Sequence, residues 1–246
     1  METSKEEQNP WLHPLAVVRG RKDKEWLQTM FYDASTNRCI TKSLPEMRNK
    51  VICSSPYGWL VTKDVDSNDY SLFHLESKMN IKLPPVQPQQ RFCFLSSPPT
   101  DPDCRVVFYD ESVDNNNVLI CKPGDDKFAI QQMERQIGQY AVHQGTSYSW
   151  VTLEMSLDRI EFVDSQIQLT TILTIEHNHL PDIFQSKRYL VGSQSHDHDH
   201  DLYLLEKIYF GFFTEFSTFR VNRMDFARNQ WTRVRSIGEV AIFGFQ

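Results

Sequence analysis

The run from His196 to Asp201 alternates histidine and aspartate, three of each. In an extended segment neighbouring side chains point to opposite faces, so the three imidazoles would share one face and the three carboxylates the other. Imidazoles two residues apart can bind one divalent metal ion such as zinc. A solvated polar turn between two strands, with adventitious metal binding by the tandem histidines, is the simpler interpretation. We therefore predict no physiological metal site in this run.

Two further segments carry residue types that bind metals. His177 and His179 lie two residues apart, but the sequence places no further ligands beside them, so we interpret them as loop residues. Residues 64–69, Asp-Val-Asp-Ser-Asn-Asp, are similar to part of a calcium loop. They lack the glycine and the terminal glutamate that such a loop needs in register. We predict a hydrated hairpin turn there.

Signatures of nucleophilic catalysis and of nucleotide binding are absent. The chain has no Gly-x-Ser-x-Gly turn, no Gly-x-Gly-x-x-Gly and no phosphate-binding loop. Cys53 and Cys121 have no obvious activating histidine, and both fall on predicted strands, so we predict that they pack in the core. We predict a protein that is not an enzyme and needs no cofactor. The alternative is a metal-dependent or catalytic protein that uses the run from His196 to Asp201.

The charge balance argues against one class of partner. With 26 Lys and Arg against 32 Asp and Glu, the formal net charge is −6. General nucleic-acid binding needs a basic footprint that displaces counterions from phosphate, so we predict no nucleic-acid partner. Arg220, Arg223, Arg228, Arg233 and Arg235 leave room for a local basic patch. We interpret them as residues of solvated strand faces and turns.

Composition and cysteine usage indicate the elements that hold these side chains. The 246 residues are 40% hydrophobic and include 16 Phe, 9 Tyr and 5 Trp, which suits a strand-rich domain. The five cysteines form no Cys-x-x-Cys pair, which indicates free, mostly buried thiols in a reducing compartment. No apolar run reaches about 18 residues, and the polar N-terminus is no signal peptide. We predict a cytoplasmic or nuclear protein with no membrane span.

Short apolar runs separated by turn-forming clusters predict an all-β protein. Residues 1–9 are predicted to be a disordered tail. Residues 125–136 are the one helix candidate, and their pattern fits a helix turn or a strand; we favour a strand followed by a loop. The predicted strands are 15–18, 26–32, 50–54, 59–63, 71–74, 91–95, 105–109, 118–122, 128–132, 139–143, 149–153, 168–175, 188–191, 202–210, 217–222, 231–235 and 240–244.

A weak repeat of strand, turn, strand, short turn and strand runs through the chain. It occurs over residues 58–85, over 105–130 and, in part, over 219–234. A β-propeller blade has this pattern, and blades of about 40–50 residues predict about five or six blades. Trp59 and Trp231 fall at repeat positions and are predicted to lie in blade cores. Composition alone would also allow a β-sandwich.

An ordered series of short motifs spans the chain from about Pro10 to Gly244. It includes Gly-Trp-Leu-Val at 58–61, Ile-Lys-Leu-Pro-Pro at 81–85, Cys-Lys-Pro-Gly-Asp-Asp at 121–126, Phe-Arg-Val at 219–221 and Trp-Thr-Arg-Val at 231–234. In order and spacing the series resembles the KIB-type β-propeller family of plants, whose domain of formerly unknown function usually follows an F-box. The resemblance implies one KIB-type β-propeller domain over residues 10–246.

The resemblance also implies a function in protein binding. Family members with an F-box resemble substrate adaptors of Skp–cullin–F-box ubiquitin ligases, in which the F-box binds the ligase and the propeller binds the target. Some members engage protein kinases. We therefore expect a protein target, with a kinase as one class of target.

The chain departs from the family pattern in three places. Residues 44–47 begin with Leu-Pro, as F-boxes do, but no helical apolar pattern follows, so we expect no F-box and a doubtful Skp–cullin link. Residues 145–157 do not fit the family pattern cleanly. The chain stops at Gln246, where relatives continue, so the last blade is expected to be incomplete. Such a chain closes with fewer blades, has its sheet edge covered by a partner, or is a truncated, non-functional family member.

Overall fold

The structure, a computed structural model, describes residues 15–18, 29–33, 38–42, 44–54, 56–86, 92–110, 116–175, 184–192, 201–210 and 215–235. Within these ranges the chain forms β-strands and two single-turn 3-10 helices, Pro45–Met47 and Pro56–Gly58. None of the helices in these ranges is long and apolar enough to cross a membrane.

The strands are numbered in chain order. They are β1 Leu15–Val18, β2 Thr29–Asp33, β3 Arg38–Lys42, β4 Lys50–Ser54, β5 Trp59–Asp64, β6 Tyr70–His74, β7 Asn80–Lys82, β8 Phe92–Leu95, β9 Val106–Tyr109, β10 Asn117–Cys121, β11 Ala129–Gln132, β12 Gln139–His143, β13 Thr146–Val151, β14 Ser156–Val163, β15 Gln166–Thr174, β16 Phe184–Gly192, β17 Leu202–Phe210, β18 Glu215–Asp225 and β19 Gln230–Val234.

Every described sheet is built from strands that follow one another in the chain. The first sheet has the order β1-β2-β3, the second β4-β5-β6-β7, the third β11-β10-β9-β8, the fourth β12-β13-β14-β15 and the fifth β16-β17-β18-β19. Successive four-stranded meanders are the blades of a β-propeller. The predicted all-β propeller class is confirmed.

The described residues form four complete blades, where five or six blades were predicted. In the part of the chain that the structure describes, four sheets have the four strands of a complete blade, and β1–β3 form a three-stranded sheet. The last described sheet, β16–β19, has four strands, and the expectation of an incomplete last blade stays a prediction because it depends on residues after 235. The tail predicted over residues 1–9 and the strand predicted over 240–244 lie outside the described residues.

The predicted repeats correspond to real blades, but β14 escaped prediction. The repeat over 58–85 becomes β5, β6 and β7, and residues 125–136 form β11 and a loop, as predicted. β14 contains Asp158, Arg159 and Glu161, residue types that are uncommon in strands. Asp158 is fully buried there and lies 3.2 Å from Arg135, so a partner distant in sequence makes the charge acceptable in a strand.

The described chain divides into two compact units. Of the described residues, those up to Val106 together with Cys121–Phe128 form the first unit, and those of 107–120 and 129–235 form the second. In the first unit an apolar cluster joins the second sheet to the 3-10 turn before it. It contains Leu60 on β5, Phe73 on β6 and Leu75 just after β6, packed with Leu44 and Met47. The 3-10 turn before β4 therefore closes one face of that sheet with apolar side chains.

In the second unit the fourth and fifth sheets share an apolar core. Trp150 and Leu157 from the fourth sheet are fully buried and belong to one cluster with Leu190, Leu202 and Leu204 from the fifth. Burial of one such leucine stabilises the fold by about 1.5–3 kcal/mol. This core fixes the position of β16, β17 and β18 relative to the fourth sheet.

A glycine allows the first strands of these two sheets to meet. β12 lies against β16. A Cβ atom added to Gly192, at the end of β16, would lie 2.0 Å from the carbonyl oxygen of Val142 on β12. No side chain fits in that space, so glycine is required by the close approach of the two backbones.

Candidate functional site

Two of the five C-terminal arginines form exposed ion pairs. Arg223 on β18 has Nη1 3.6 Å from Oδ2 of Asp201. Arg228, in the turn after β18, has Nη1 3.6 Å from Oδ2 of Asp225. Exposed pairs of this kind contribute less than about 1 kcal/mol. These two arginines agree with the interpretation as solvated strand faces and turns.

The other three share a single face of the fifth sheet with a fourth arginine from β16. Across the antiparallel strands, Arg188 on β16 is opposite Glu206 on β17, and Glu206 is opposite Arg220 on β18. Arg233 on β19 is opposite Asn222, which lies two residues from Arg220 on β18, so Arg233 and Arg220 share a face because strand side chains alternate. The same alternation, continued one residue past the end of β19, assigns Arg235 to that face. These four arginines around Glu206 are called the arginine cluster below.

Glu206 is the buried acceptor of the arginine cluster, with a side chain 5% exposed. Arg188 donates to Oε1 from Nε at 2.9 Å and from Nη2 at 2.7 Å. Arg220 donates from Nη1 to Oε2 at 3.0 Å. The third nitrogen of Arg188, Nη1, lies 2.9 Å from the sulfur of Met155, in the turn between β13 and β14 of the fourth sheet. Both carboxylate oxygens are therefore occupied, and Arg188 is held by the protein itself.

The arginine cluster has more positive charge than its protein partners neutralise. Four guanidinium groups accompany one carboxylate, a formal charge of +3. The side chain of Arg220 is 34% exposed, and Glu206 takes only one of its nitrogens. Arg233 and Arg235 are exposed and have no acidic partner among the described residues. Three guanidinium groups therefore remain accessible on this face.

The excess extends to the whole fifth sheet. Residues 184–192, 201–210 and 215–235 hold eight Lys and Arg against four Asp and Glu, a formal charge of +4, in a chain of net charge −6. The fifth sheet is thus a local basic surface on an acidic protein. Such a separation of charge creates a potential that attracts anions to one face.

Arg135, in the loop before β12, has more negative than positive charge around it, since its one guanidinium group pairs with the carboxylates of Glu154 and Asp158. Its Nε donates to Glu154 at 2.8 Å, its Nη1 to Thr171 at 2.6 Å and to Asp158 at 3.3 Å, and its Nη2 to Glu154 and to Ser156 at 3.0 Å. The hydrogen bond with Glu154 and the charges of Asp158 and Glu154 raise the pKa of Arg135, against burial, which lowers it. Every donor of Arg135 has a protein acceptor, so this group is structural.

The opposite face of the fifth sheet is aromatic. Nζ of Lys207 lies 5.3 Å from the ring centre of Tyr209 and 5.8 Å from that of Phe216. The rings of Phe216 and Phe219 are 4.7 Å apart, and the residues are 52% and 47% exposed. One face of the fifth sheet is therefore cationic at the arginine cluster, and the opposite face exposes aromatic rings.

The candidate metal segments give no site in the described residues. Asp201 is described and accepts a hydrogen bond from the Tyr203 hydroxyl at 2.9 Å, whereas residues 196–200 and the pair His177 and His179 lie outside the described residues. Across the described ranges no three His, Cys, Asp or Glu side chains are grouped as metal ligands would be.

The hairpin turn predicted over residues 64–69 is confirmed. Asp64 Oδ1 accepts hydrogen bonds from the backbone N–H groups of Asp66 and Ser67, each at 2.9 Å. The bond from Ser67 is the main reason that the pKa of Asp64 lies below its ordinary value. The carboxylate therefore organises the turn itself.

The cysteine prediction is half right. Cys121 is buried, and burial raises the pKa of its thiol to about 12. Cys53 is exposed, so the prediction that it packs in the core is wrong. Its strand, β4, changes register between Ile52 and Ser54, and such a bulge redirects the side chain of the extra residue.

The tryptophan predictions hold. Trp59 is 3% exposed, and Trp231 packs against the core that the fourth and fifth sheets share. The sequence reasoning did not identify Arg188 or Glu206, which complete the arginine cluster. For Glu206 the one signal is a carboxylate directly after the apolar run Leu-Tyr-Leu-Leu at 202–205, whereas Arg188 follows Gln185, Ser186 and Lys187 and has no such signal.

A family of known proteins matches most of this chain. Residues 31–244 match the family described as KIB1-4 beta-propeller. An F-box protein of Arabidopsis thaliana is 33% identical over 91 residues, a match that spans 36% of this chain and only 24% of that protein. Apo AztD from Citrobacter koseri is similar with a TM-score of 0.43 and 10% identity, over 94% of this chain and 75% of that one. Since the family match includes most of the chain, the protein belongs to the KIB1-4 β-propeller family.

Proposed function

We propose that this chain is a protein-binding β-propeller domain that recognises its target with the arginine cluster on the fifth sheet. One observation carries the proposal: a single sheet face has four guanidinium groups and one carboxylate, that of Glu206. Arginine is enriched in protein interfaces and at their energetic hot spots. An acidic segment of a target protein is the partner whose charge fits this face.

Binding is favoured over catalysis by the chemistry of the cluster. Guanidinium groups keep their charge at all physiological pH values and act as rigid forks of donors. The cluster contains no nucleophile and no group suited to general-base work. It is a surface for recognition of anions, and we propose no enzymatic activity for the chain.

Family membership supports a more specific role. The Arabidopsis relative is an F-box protein, and an F-box protein of this architecture would present its propeller to a target. We propose that this chain acts as a target-recognition domain of the type found in ubiquitin-ligase adaptors, with protein kinases as one class of target. Free described cysteines support a reducing compartment, the cytoplasm or nucleus.

The proposal is tested with two variants that remove the same charge. Arg233→Gln with Arg235→Gln empties the exposed part of the cluster, whereas Arg223→Gln with Arg228→Gln removes two arginines that form exposed pairs elsewhere. Purified chain and both variants are used to capture proteins from an Arabidopsis extract with quantitative mass spectrometry. A partner is accepted only when its purified form binds the purified chain.

The cluster variant is expected to lose the accepted partner and the control variant to retain it. Equal binding by both variants would show that the arginine cluster is not the recognition surface. Circular dichroism and unfolding curves of both variants verify that any loss is local, since both pairs lie at exposed positions.

A further inference from the structure

We propose that the arginine cluster binds a phosphoryl group carried by a phosphorylated serine, threonine or tyrosine of the target protein. This inference rests on the proposed function and specifies the chemistry of the ligand. Two observations support it: the uncompensated positive charge of the arginine cluster and the positions of its arginines on neighbouring strands.

The charge count favours a dianion over a single carboxylate. Glu206 already supplies one carboxylate, and the cluster keeps a formal charge of +3. One aspartate or glutamate of a partner would neutralise one unit, whereas a phosphate ester has a charge of about −1.5 to −2 at pH 7. Accessible guanidinium groups also bind phosphate oxygens in pairs, which a planar fork does well.

The position of the arginines gives the same answer. Arg220 belongs to β18, and Arg233 and Arg235 lie on or just after the neighbouring β19. Arg233 is opposite Asn222, two residues along β18 from Arg220, and neighbouring strands are about 4.8 Å apart, so these long side chains are neighbours on one face of the sheet. A phosphate group with its three terminal oxygens has enough acceptors for all three.

Glu206 acts as a positioning residue for this site. It accepts from Arg220 at 3.0 Å and from Arg188 at 2.7 Å, and its own side chain is almost completely buried. Fixing one nitrogen of Arg220 lowers the entropy that the side chain loses on binding. The remaining nitrogens of Arg220 and the guanidinium groups of Arg233 and Arg235 then supply the ligand donors.

Among the described residues, the ion pairs outside the arginine cluster do not offset its charge. Arg223 and Asp201 pair on the opposite face, and Arg228 and Asp225 pair in the turn. The carboxylates of Glu154 and Asp158 both form ion pairs with Arg135. The excess positive charge on the arginine cluster is therefore available to a ligand.

The experiment uses full-length chain and three immobilised pools of degenerate peptides. One pool has a central phosphoserine, phosphothreonine or phosphotyrosine, the second has glutamate at that position, and the third has the unmodified hydroxyl residues. Binding is measured for the chain, for Arg233→Gln with Arg235→Gln, and for the control Arg223→Gln with Arg228→Gln. Inorganic phosphate and a random single-stranded oligonucleotide serve as competitors.

The phosphopeptide pool is expected to bind at least about tenfold more tightly than the glutamate pool, a difference of about 1.4 kcal/mol. The cluster variant should lose at least about tenfold of this affinity, and the control less than about twofold. Glu206→Gln should weaken phosphopeptide binding, while Glu206→Asp, which keeps the carboxylate, should restore part of it.

Three results would overturn the proposal. Equal binding to the phosphopeptide and glutamate pools would exclude a phosphoryl ligand and leave acidic protein segments as the partner of the proposed function. Displacement by the oligonucleotide at lower concentration than by a phosphopeptide would identify a nucleic acid as the better ligand. No binding to any pool, together with cluster-dependent binding of a purified partner, would reject phosphoryl recognition while the proposed function stands.

Discussion

Arg220 and Glu206 lie opposite each other on β18 and β17, with Nη1 of the arginine 3.0 Å from Oε2 of the glutamate. Arg188 contacts the other oxygen of the same carboxylate from β16. One buried anion thus connects three strands of the fifth sheet and leaves the sheet face positively charged.

Glu206→Gln should destabilise the protein because the amide leaves two neighbouring guanidinium groups without an anion. Hydrogen bonds to charged groups contribute about 1.5–3 kcal/mol, and partial exposure of both arginines reduces the loss, so we expect a decrease of about 2 kcal/mol in unfolding free energy. Urea unfolding of both proteins measures it. Asp201→Asn, which removes a carboxylate from an exposed pair of the same sheet, is the control and should change stability by less than about 1 kcal/mol. Equal losses in both variants would contradict this account of Glu206.

Arg135→Met should be more damaging than Glu206→Gln because it leaves Asp158 as an unpaired carboxylate with no solvent exposure. Removal of one member of a buried pair costs about 3–5 kcal/mol. We expect a loss near the lower limit, since Ser156 can still donate to Asp158. Denaturant unfolding of the variant, with the exposed Glu161→Gln as control, provides the comparison. A loss no larger than that of the control would mean that the Arg135 group is dispensable for the fold.

Gly192→Ala should destabilise the second unit, because the new methyl group would lie 2.0 Å from the carbonyl oxygen of Val142. The first strands of the fourth and fifth sheets must then separate, and overpacking of this kind costs about 1–3 kcal/mol. Thermal unfolding should show a lower midpoint for Gly192→Ala and an unchanged one for Gln168→Ala, an exposed position on β15. A Gly192→Ala protein as stable as the parent would rule out the close approach of β12 and β16.

Cys53 should react with iodoacetamide at pH 8, while Cys121 and Cys104 remain unmodified in the folded protein. Burial raises the pKa of Cys121 to about 12 and raises that of Cys104, so both thiols keep their protons at pH 8 and are shielded from the reagent. Cys53 is exposed on β4. Peptide mapping by mass spectrometry, with urea-unfolded protein as the control for full labelling, distinguishes them. Rapid modification of Cys121 under native conditions would show that β10 opens.

Local sequence patterns were enough to predict the class of fold and many of its strands. The alternation of apolar runs and turn clusters predicted β5, β6 and β7 in sequence, because each strand satisfies a local pattern of side-chain alternation. The aspartate turn at 64–69 is local in the same sense, since Asp64 bonds to N–H groups only two and three residues away. The family motifs could also be recognised from the sequence, because each consists of a few consecutive residues.

The contacts of the charged residues depend on strand pairing. From the sequence, the five C-terminal arginines received one common interpretation, but the register of β17, β18 and β19 places Arg220 and Arg233 on one face and Arg223 on the other. The strand β14 was not predicted, and the charge of Asp158 within it is balanced by Arg135, 3.2 Å away and 23 residues earlier in the chain. Cys53 was predicted to be buried, but the bulge in β4 turns it outward. Pairing between distant strands fixes which face a side chain occupies and which charge lies beside it, and a single chain read in order has no record of that pairing.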